Sequence, residues 1–243
     1  MKPASRLIFA ITLLFLAKPS LGQHQPLGAW DVVTIKLGLD KHWSLLEESQ
    51  IRSQNFFRNF NYYEFKGGLG YSFSRKLSAL VGFGRMITFS DGHNFAKPFV
   101  NKEWRIWEQF IYNMYTGRVK LENRIRVEQR WTSSLGYRNR IKYRLNCQLP
   151  LNGRRIRPGV VYLTGWDELY FTDSNPNFES TRMFGGLGLQ LSKHTTIQTG
   201  YLHQVLYKAD DTHSGRQYFQ TVLVLDLDAH RQHHQDKTPT SAD

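Results

Sequence analysis

From Lys120 to Arg130 and again from Arg138 to Arg144 charged side chains recur at every second position, and this is the first feature of the chain that could do chemistry. Glu122, Arg124, Arg126, Glu128 and Arg130 form one such row, and Arg138, Arg140, Lys142 and Arg144 form the next. Rings of arginine and lysine select anions in a pore. The same cations can instead pair with Glu48, Glu64, Glu122, Glu128 and Glu168 and fill an interior, because opposite charges on neighbouring strands attract across the ladder. Small barrels are packed by their own side chains, and an open aqueous channel needs about sixteen strands. The filled interior is therefore the first expectation and a narrow anion-preferring pore the second.

Other constellations are thinner. A hydrolase needs a nucleophile, a base and an orienting group within reach of one another. His203 has serines and threonines nearby in sequence, but its odd position puts it on a face with Ile197 and Val205 rather than on the polar wall. His194 falls in a turn and is read as solvated. No G-x-S-x-G pattern occurs. His230, His233 and His234 could clamp a metal only if their segment were helical. Gly67-Gly68-Leu69-Gly70 and Gly185-Gly186-Leu187-Gly188 look like phosphate loops but lie inside strand patterns with no following helix. Cys147 shares a face with Leu145 and Leu149 and reads as a small hydrophobe. No catalytic residue, metal site or cofactor is assigned.

The elements that must position these rows are strands. Side chains on a strand alternate between two faces, and from Gly28 onward the dominant period is two. Val119, Leu121, Ile125, Val127 and Trp131 oppose the first charged row; Tyr137, Ile141, Tyr143, Leu145, Cys147 and Leu149 oppose the second. Met183, Leu187, Leu189 and Leu191 face away from Arg182 and Gln190, and Tyr63, Phe65, Leu69, Tyr71 and Phe73 oppose Glu64, Lys66 and Ser72. The expected fold is all-β, an antiparallel up-and-down transmembrane β-barrel of about ten to twelve strands, since many strands run well beyond the globular mode of about 5–6 residues. The pattern itself divides into about eleven. An odd number conflicts with the even strand counts of bacterial single-chain barrels, so a split or missed strand, or a non-standard first segment over Gly28–Leu39, is also considered. Tight turns are expected at Asp40-Lys41-His42, Ser74-Arg75-Lys76, Thr116-Gly117-Arg118, Asn152-Gly153-Arg154 and Ser192-Lys193-His194. Longer loops are expected near Asn55–Asn61, Ser90–Asn101, Thr172–Glu179 and Ala209–Gly215.

A membrane barrel turns its apolar face outward and a soluble barrel turns it inward. Strand length, the separation of turns from loops, and Trp30, Trp43, Trp104, Trp107 and Trp131 near strand ends favour the first, with those five forming an aromatic girdle. Residues 1–22 read as a secretory signal: Lys2 and Arg6, then the apolar run Leu7–Ala17, then Ser20-Leu21-Gly22. That run is short of the ~20 residues a spanning helix needs. Residues 23–228 are expected to form one barrel domain and 229–243 a polar, disordered tail. The chain holds 32 Lys and Arg against 20 Asp and Glu, a net charge of +12. In an exported protein this favours an anionic membrane surface or solute over nucleic acid. A single cysteine excludes an internal disulfide.

Several stretches resemble the bacterial family catalogued as domain of unknown function 2490. They are Gly28-Ala29-Trp30, Leu39–Leu45, Gly68–Phe73, Leu121–Arg130, Tyr137–Leu151, Asp167-Glu168-Leu169 and Gly185–Leu202. The resemblance covers nearly the whole chain after the signal and implies an outer-membrane barrel of a Gram-negative bacterium; it brings no activity and no catalytic residues. Many such barrels end on an aromatic residue that assists insertion, whereas the last strand here closes on Leu227-Asp228. The expected partners are outer-membrane lipid and lipopolysaccharide, the barrel-assembly machinery and, under the pore reading, small anions. The functional expectation is a structural or surface-binding barrel with a charge-filled lumen. Behind the pore stand a membrane-embedded lipid-modifying enzyme and a soluble periplasmic lipocalin-like carrier.

Overall fold

The computed structural model describes residues 26–228 except His93; the expected signal over residues 1–22 and the expected tail over 229–243 lie outside the described residues. Eleven strands make up the fold: β1 (Gly28–Gly38), β2 (Trp43–Asn55), β3 (Arg58–Ser72), β4 (Leu77–Phe89), β5 (Phe99–Thr116), β6 (Val119–Thr132), β7 (Gly136–Pro150), β8 (Val161–Thr172), β9 (Phe178–Gln190), β10 (Thr195–Tyr207) and β11 (His213–Asp228). Each pairs with its sequence neighbour, and β1 pairs with β11 to close a barrel. Closure satisfies every strand edge, which removes the unpaired N–H and C=O groups an open sheet exposes.

The strand count is eleven, and it corrects the expectation of a wholly antiparallel ladder. In an up-and-down meander with an odd number of strands the first and last run the same way, so their seam must be parallel. Gly28 through Gly38 accordingly pair in parallel with Tyr218 through Asp228, while the other pairings are antiparallel.

Three hairpins at one end share one turn chemistry. The side-chain oxygen of the first turn residue accepts backbone N–H groups two and three residues on: Asp40 Oδ1 from His42 and Trp43 at 2.7 and 2.6 Å, Ser74 Oγ from Lys76 and Leu77 at 3.2 and 3.1 Å, and Ser192 Oγ from His194 and Thr195 at 3.1 and 3.0 Å. His42 and His194 then tie their turns to the adjacent strand through Nδ1 contacts with the carbonyls of Ser72 (2.9 Å) and Asp226 (2.8 Å). His194 is thus bonded rather than merely solvated.

Connection length does not sort the two ends as expected. Residues 56–57 form a tight turn in place of a long loop, with Phe57 and Asn59 at positive φ. Residues 151–160, expected as a tight turn around Asn152-Gly153-Arg154, form the longest connection. Arg118 bonds the carbonyl of Pro150, and Arg155 donates to the carbonyl of Gly117 at 2.8 Å, so this loop folds across the β5–β6 turn.

Gly82 and Gly188 illustrate how the interior accommodates large rings. A side chain on Gly82 would collide with Trp107, and one on Gly188 with Tyr162, both rings fully buried inside the barrel. The glycine-rich runs are therefore packing devices in a curved sheet.

The parallel seam yields a direct test. Val33 and Leu223 are register partners on the outer wall, and strands about 4.8 Å apart lie within the Cα range of about 4.4–6.8 Å that a disulfide spans. In a Cys147→Ser background, Val33→Cys with Leu223→Cys is expected to oxidise to an intramolecular disulfide, seen as a faster band on a non-reducing gel. If it does not, while the antiparallel control Ile35→Cys with Glu47→Cys does, the seam is wrong.

Candidate functional site: the barrel lumen

Alternation places the charged rows inside. Glu48, Glu64, Glu122, Arg124, Arg126, Arg130, Arg140, Lys142, Arg144 and Glu168 line a lumen cavity of about 470 Å³, and Glu128 is wholly buried behind it. Arg138 stands apart at the rim, where its Nε donates to Ser174 Oγ at 3.2 Å and it lines a second pocket with Leu135, Pro176 and Tyr207.

The deepest knot surrounds Glu128. Arg140 Nη2 and Lys142 Nζ each lie 2.6 Å from its carboxylate, Arg105 Nε 3.5 Å and Arg126 Nη1 3.7 Å. A second knot runs toward the loop end. Glu103 takes Arg105 at 2.5 Å and Arg130 at 2.7 Å, and Glu179 bridges Arg130 and Arg140 at 3.0 Å each. Toward the turn end Arg144 pairs with Glu122 at 2.9 Å, Arg124 with Glu168, and Lys66 with both Glu48 and Glu64. Arg126 also donates from Nε to Gln109 Oε1 at 2.8 Å, and the hydroxyls of Tyr62 and Tyr170 donate to Glu64 and Glu168. Some of these pairings skip a strand or more, as when Arg124 of β6 reaches Glu168 of β8 and Arg130 of β6 reaches Glu179 of β9.

Lys66, Glu103, Arg105, Glu179, Arg52 and Arg182 complete the interior, although the charged-row reading did not single them out as lumen residues. The signal existed for some: Glu103, Arg105, Trp107 and Gln109 alternate with Trp104, Ile106, Glu108 and Phe110 along β5.

The same parity corrects the proposed girdle. Trp104 and Trp107 are three residues apart, so one strand must point them to opposite walls. Trp104 is on the outside, 52% exposed, and Trp107 is fully buried in the lumen, with Arg126 5.1 Å above its ring. Trp30 is also inside, with its Nε1 donating to Gln50 at 2.9 Å. Trp43 and Trp131 stay on the outer wall with Trp104.

His203 takes the outer wall, partly buried, and takes part in none of the described hydrogen bonds. No group of three or more potential metal ligands converges among the described residues. Outside the strands, Asp173 accepts from the backbone N–H and side-chain amide of Asn139 at 3.1 and 2.8 Å, which holds its carboxyl below the ordinary value.

Removing one carboxylate from this network is expected to cost far more than a surface pair would. Glu128→Gln leaves four cations crowded without their shared counter-charge, and breaking a buried pair costs about 3–5 kcal/mol. A marked drop in the temperature at which the barrel band disappears on a gel is expected; an unchanged transition would mean the knot contributes little.

A family model described as "Protein of unknown function (DUF2490)" matches residues 27–214. An uncharacterized protein of Methylorubrum extorquens is 33% identical over 117 residues, covering 44% of this chain and 46% of its own length, so the chain spans about half of that relative. No solved structure matches. With its closed barrel and a family match over most of its length, the chain belongs to the DUF2490 family of proteins of unknown function.

Proposed function

We propose that this protein is an integral β-barrel of the Gram-negative outer membrane, exported by its N-terminal segment and inserted by the barrel-assembly machinery. Its role would be structural or surface-binding, with a cross-linked lumen. The observation that carries the reading is the inside-out distribution of side chains. Phe65, Val81, Phe83, Ile106, Phe110, Ile125 and Ile141 stand on the outer wall, each 44–63% exposed, while the charged rows occupy the interior; Arg85 is an outer-wall cation and lies over the Trp104 ring at 4.9 Å. An aqueous barrel would leave far more apolar surface in water than soluble proteins tolerate, whereas lipid acyl chains cover it without cost. The carrier reading needs the opposite arrangement.

The few outer-wall carboxylates are bonded to neighbours on the same wall: Glu47 to Ser49, Glu108 to Gln129 at 3.2 Å and Asp167 to Thr181 at 2.9 Å. Acidic side chains on the lipid face cost less than Arg or Lys, and little near the interfaces. Trp43, Trp104 and Trp131 remain for an interfacial girdle.

Envelope fractionation of the host, with gel migration compared before and after boiling, tests the reading. A heat-modifiable band in the outer-membrane fraction is expected; release with the soluble periplasm would overturn it.

A second reading, a narrow anion-preferring pore, is favoured by one observation. Ten Arg and Lys side chains line the cavity against five carboxylates, and such excess positive charge selects anions. In a planar bilayer, replacing Arg140 and Arg144 with Ser is expected to shift the reversal potential toward cations. Absence of any conductance in the folded parent would leave the filled barrel as the sole reading.

A further inference from the structure

The lumen wall is not uniform around its circumference. In the ring of strands β6 and β7 stand five places from β1 in either direction, so the salt-bridged rows face the β1–β11 seam across the cavity. Along the cavity the seam side is uncharged and mainly apolar, with Gln220 beside Trp30 and Thr34 beside Val224. Trp30 and Val32 on β1 and Val222 and Val224 on β11 line the same cavity, with Val32 and Val222 direct register partners and Val224 one step further along. Phe184, Leu202 and Tyr218 pack behind them. From Trp30 to Thr34 this strip runs about 13 Å by strand rise.

At the Trp30 end of the strip the positive charge is only loosely compensated. Arg52 lies over the Trp30 ring at 3.5 Å, and Arg182 approaches the same ring at 5.0 Å. Arg182 makes no salt bridge among the described residues, and Arg52 only a loose one to Glu64 at 3.9 Å. The Nε groups of both are buried with no acceptor. Two guanidiniums against one indole, each with an unsatisfied buried donor, are costly unless an anion joins them. An apolar strip begins at that point.

We propose that the lumen holds one amphiphilic anion, a hydrocarbon chain ending in a carboxylate or phosphate ester. Its head lies between Arg52 and Arg182 at Trp30, and its chain runs along Val32, Val222 and Val224. The cavity volume of about 470 Å³ falls within the range of about 300–1,000 Å³ usual for small-molecule sites. A charge-assisted head contact and apolar burial of the chain are then both satisfied. The inference goes beyond the membrane reading, since it depends only on the barrel interior.

Trp30 is the reporter. With the protein in phosphatidylcholine nanodiscs, bromododecanoate is titrated, and the Trp30→Phe signal is subtracted to remove the other tryptophans, the interior Trp107 and Trp166 included. Saturable quenching is expected from the acid and not from neutral bromododecanol. Dodecyl phosphate in place of dodecanoate as competitor tells which head is preferred, the tighter competitor naming it. Arg182→Gln is expected to weaken binding about tenfold, equivalent to about 1.4 kcal/mol. Val222→Glu, which leaves both arginines in place, is expected to abolish it. Heat-modifiable migration of each variant confirms that the barrel has folded. Equal quenching by the alcohol, equal competition by butyrate, or unchanged affinity in folded Arg182→Gln would each overturn the proposal. A protein recovered in the periplasmic fraction would overturn the membrane reading and leave this experiment to be decided by its own result.

Discussion

The carboxylate of Glu128, closed off from solvent and held by Arg105, Arg126, Arg140 and Lys142, is the constraint around which the interior is organised. Four cations drawn from β5, β6 and β7 converge on it, and two of them extend to Glu103 and Glu179. Like charges at this spacing repel unless carboxylates lie between them, so the interior is stable only when these strands keep their register. A slip of one residue would send every charged side chain to the outer wall. The network therefore fixes register as much as it contributes energy, since a buried ion pair offsets its own desolvation only when its geometry is good.

Eleven strands impose a second constraint. The chain enters β1 at the end carrying the β2–β3 and β4–β5 connections and leaves β11 at the opposite end, so Gly28 and Asp228 stand at opposite rims. The parallel closure costs little in pairing, because parallel ladders are only slightly less stable per residue than antiparallel ones. Its effect is seen in what lies beneath it. The charged rows converge on β5 to β7, across the lumen, and the closing strands pack through Trp30, Val32, Tyr218 and Val222 instead.

Much of this was legible because period two is a strong signal in long strands. The rows on β6 and β7, the wall occupied by His203 and the count near eleven all follow from reading alternate positions. Parity would also have separated Trp104 from Trp107; reading the tryptophans by their closeness to strand ends overlooked it. Connection lengths were less legible, because residues 151–160 and 56–57 are shaped by contacts distant in sequence, such as Arg155 with Gly117 and the N–H of Phe60 with Asn94 Oδ1. The grouping of Arg52 with Arg182 was not legible at all. They lie on β2 and β9, and only closure of the ring brings both to Trp30.

Closure also explains why the lumen has two chemistries rather than one. A barrel stabilised only by salt bridges would need a carboxylate for each cation, and the ten cations lining the cavity meet seven, Glu128 and Glu179 included. The surplus is not spread evenly. Arg140 and Lys142 share Glu128, whereas Arg182 makes no salt bridge among the described residues and lies against the rings of Trp30 and Tyr170, the latter at 4.7 Å. An aromatic face attracts a cation but leaves its N–H donors unsatisfied. A filled structural interior has no use for donors left in that condition, because replacing Arg182 with an apolar side chain would pack the same space at lower cost. Unsatisfied guanidinium beside lumen-lining valine is the arrangement expected of a site that binds charge and hydrocarbon together.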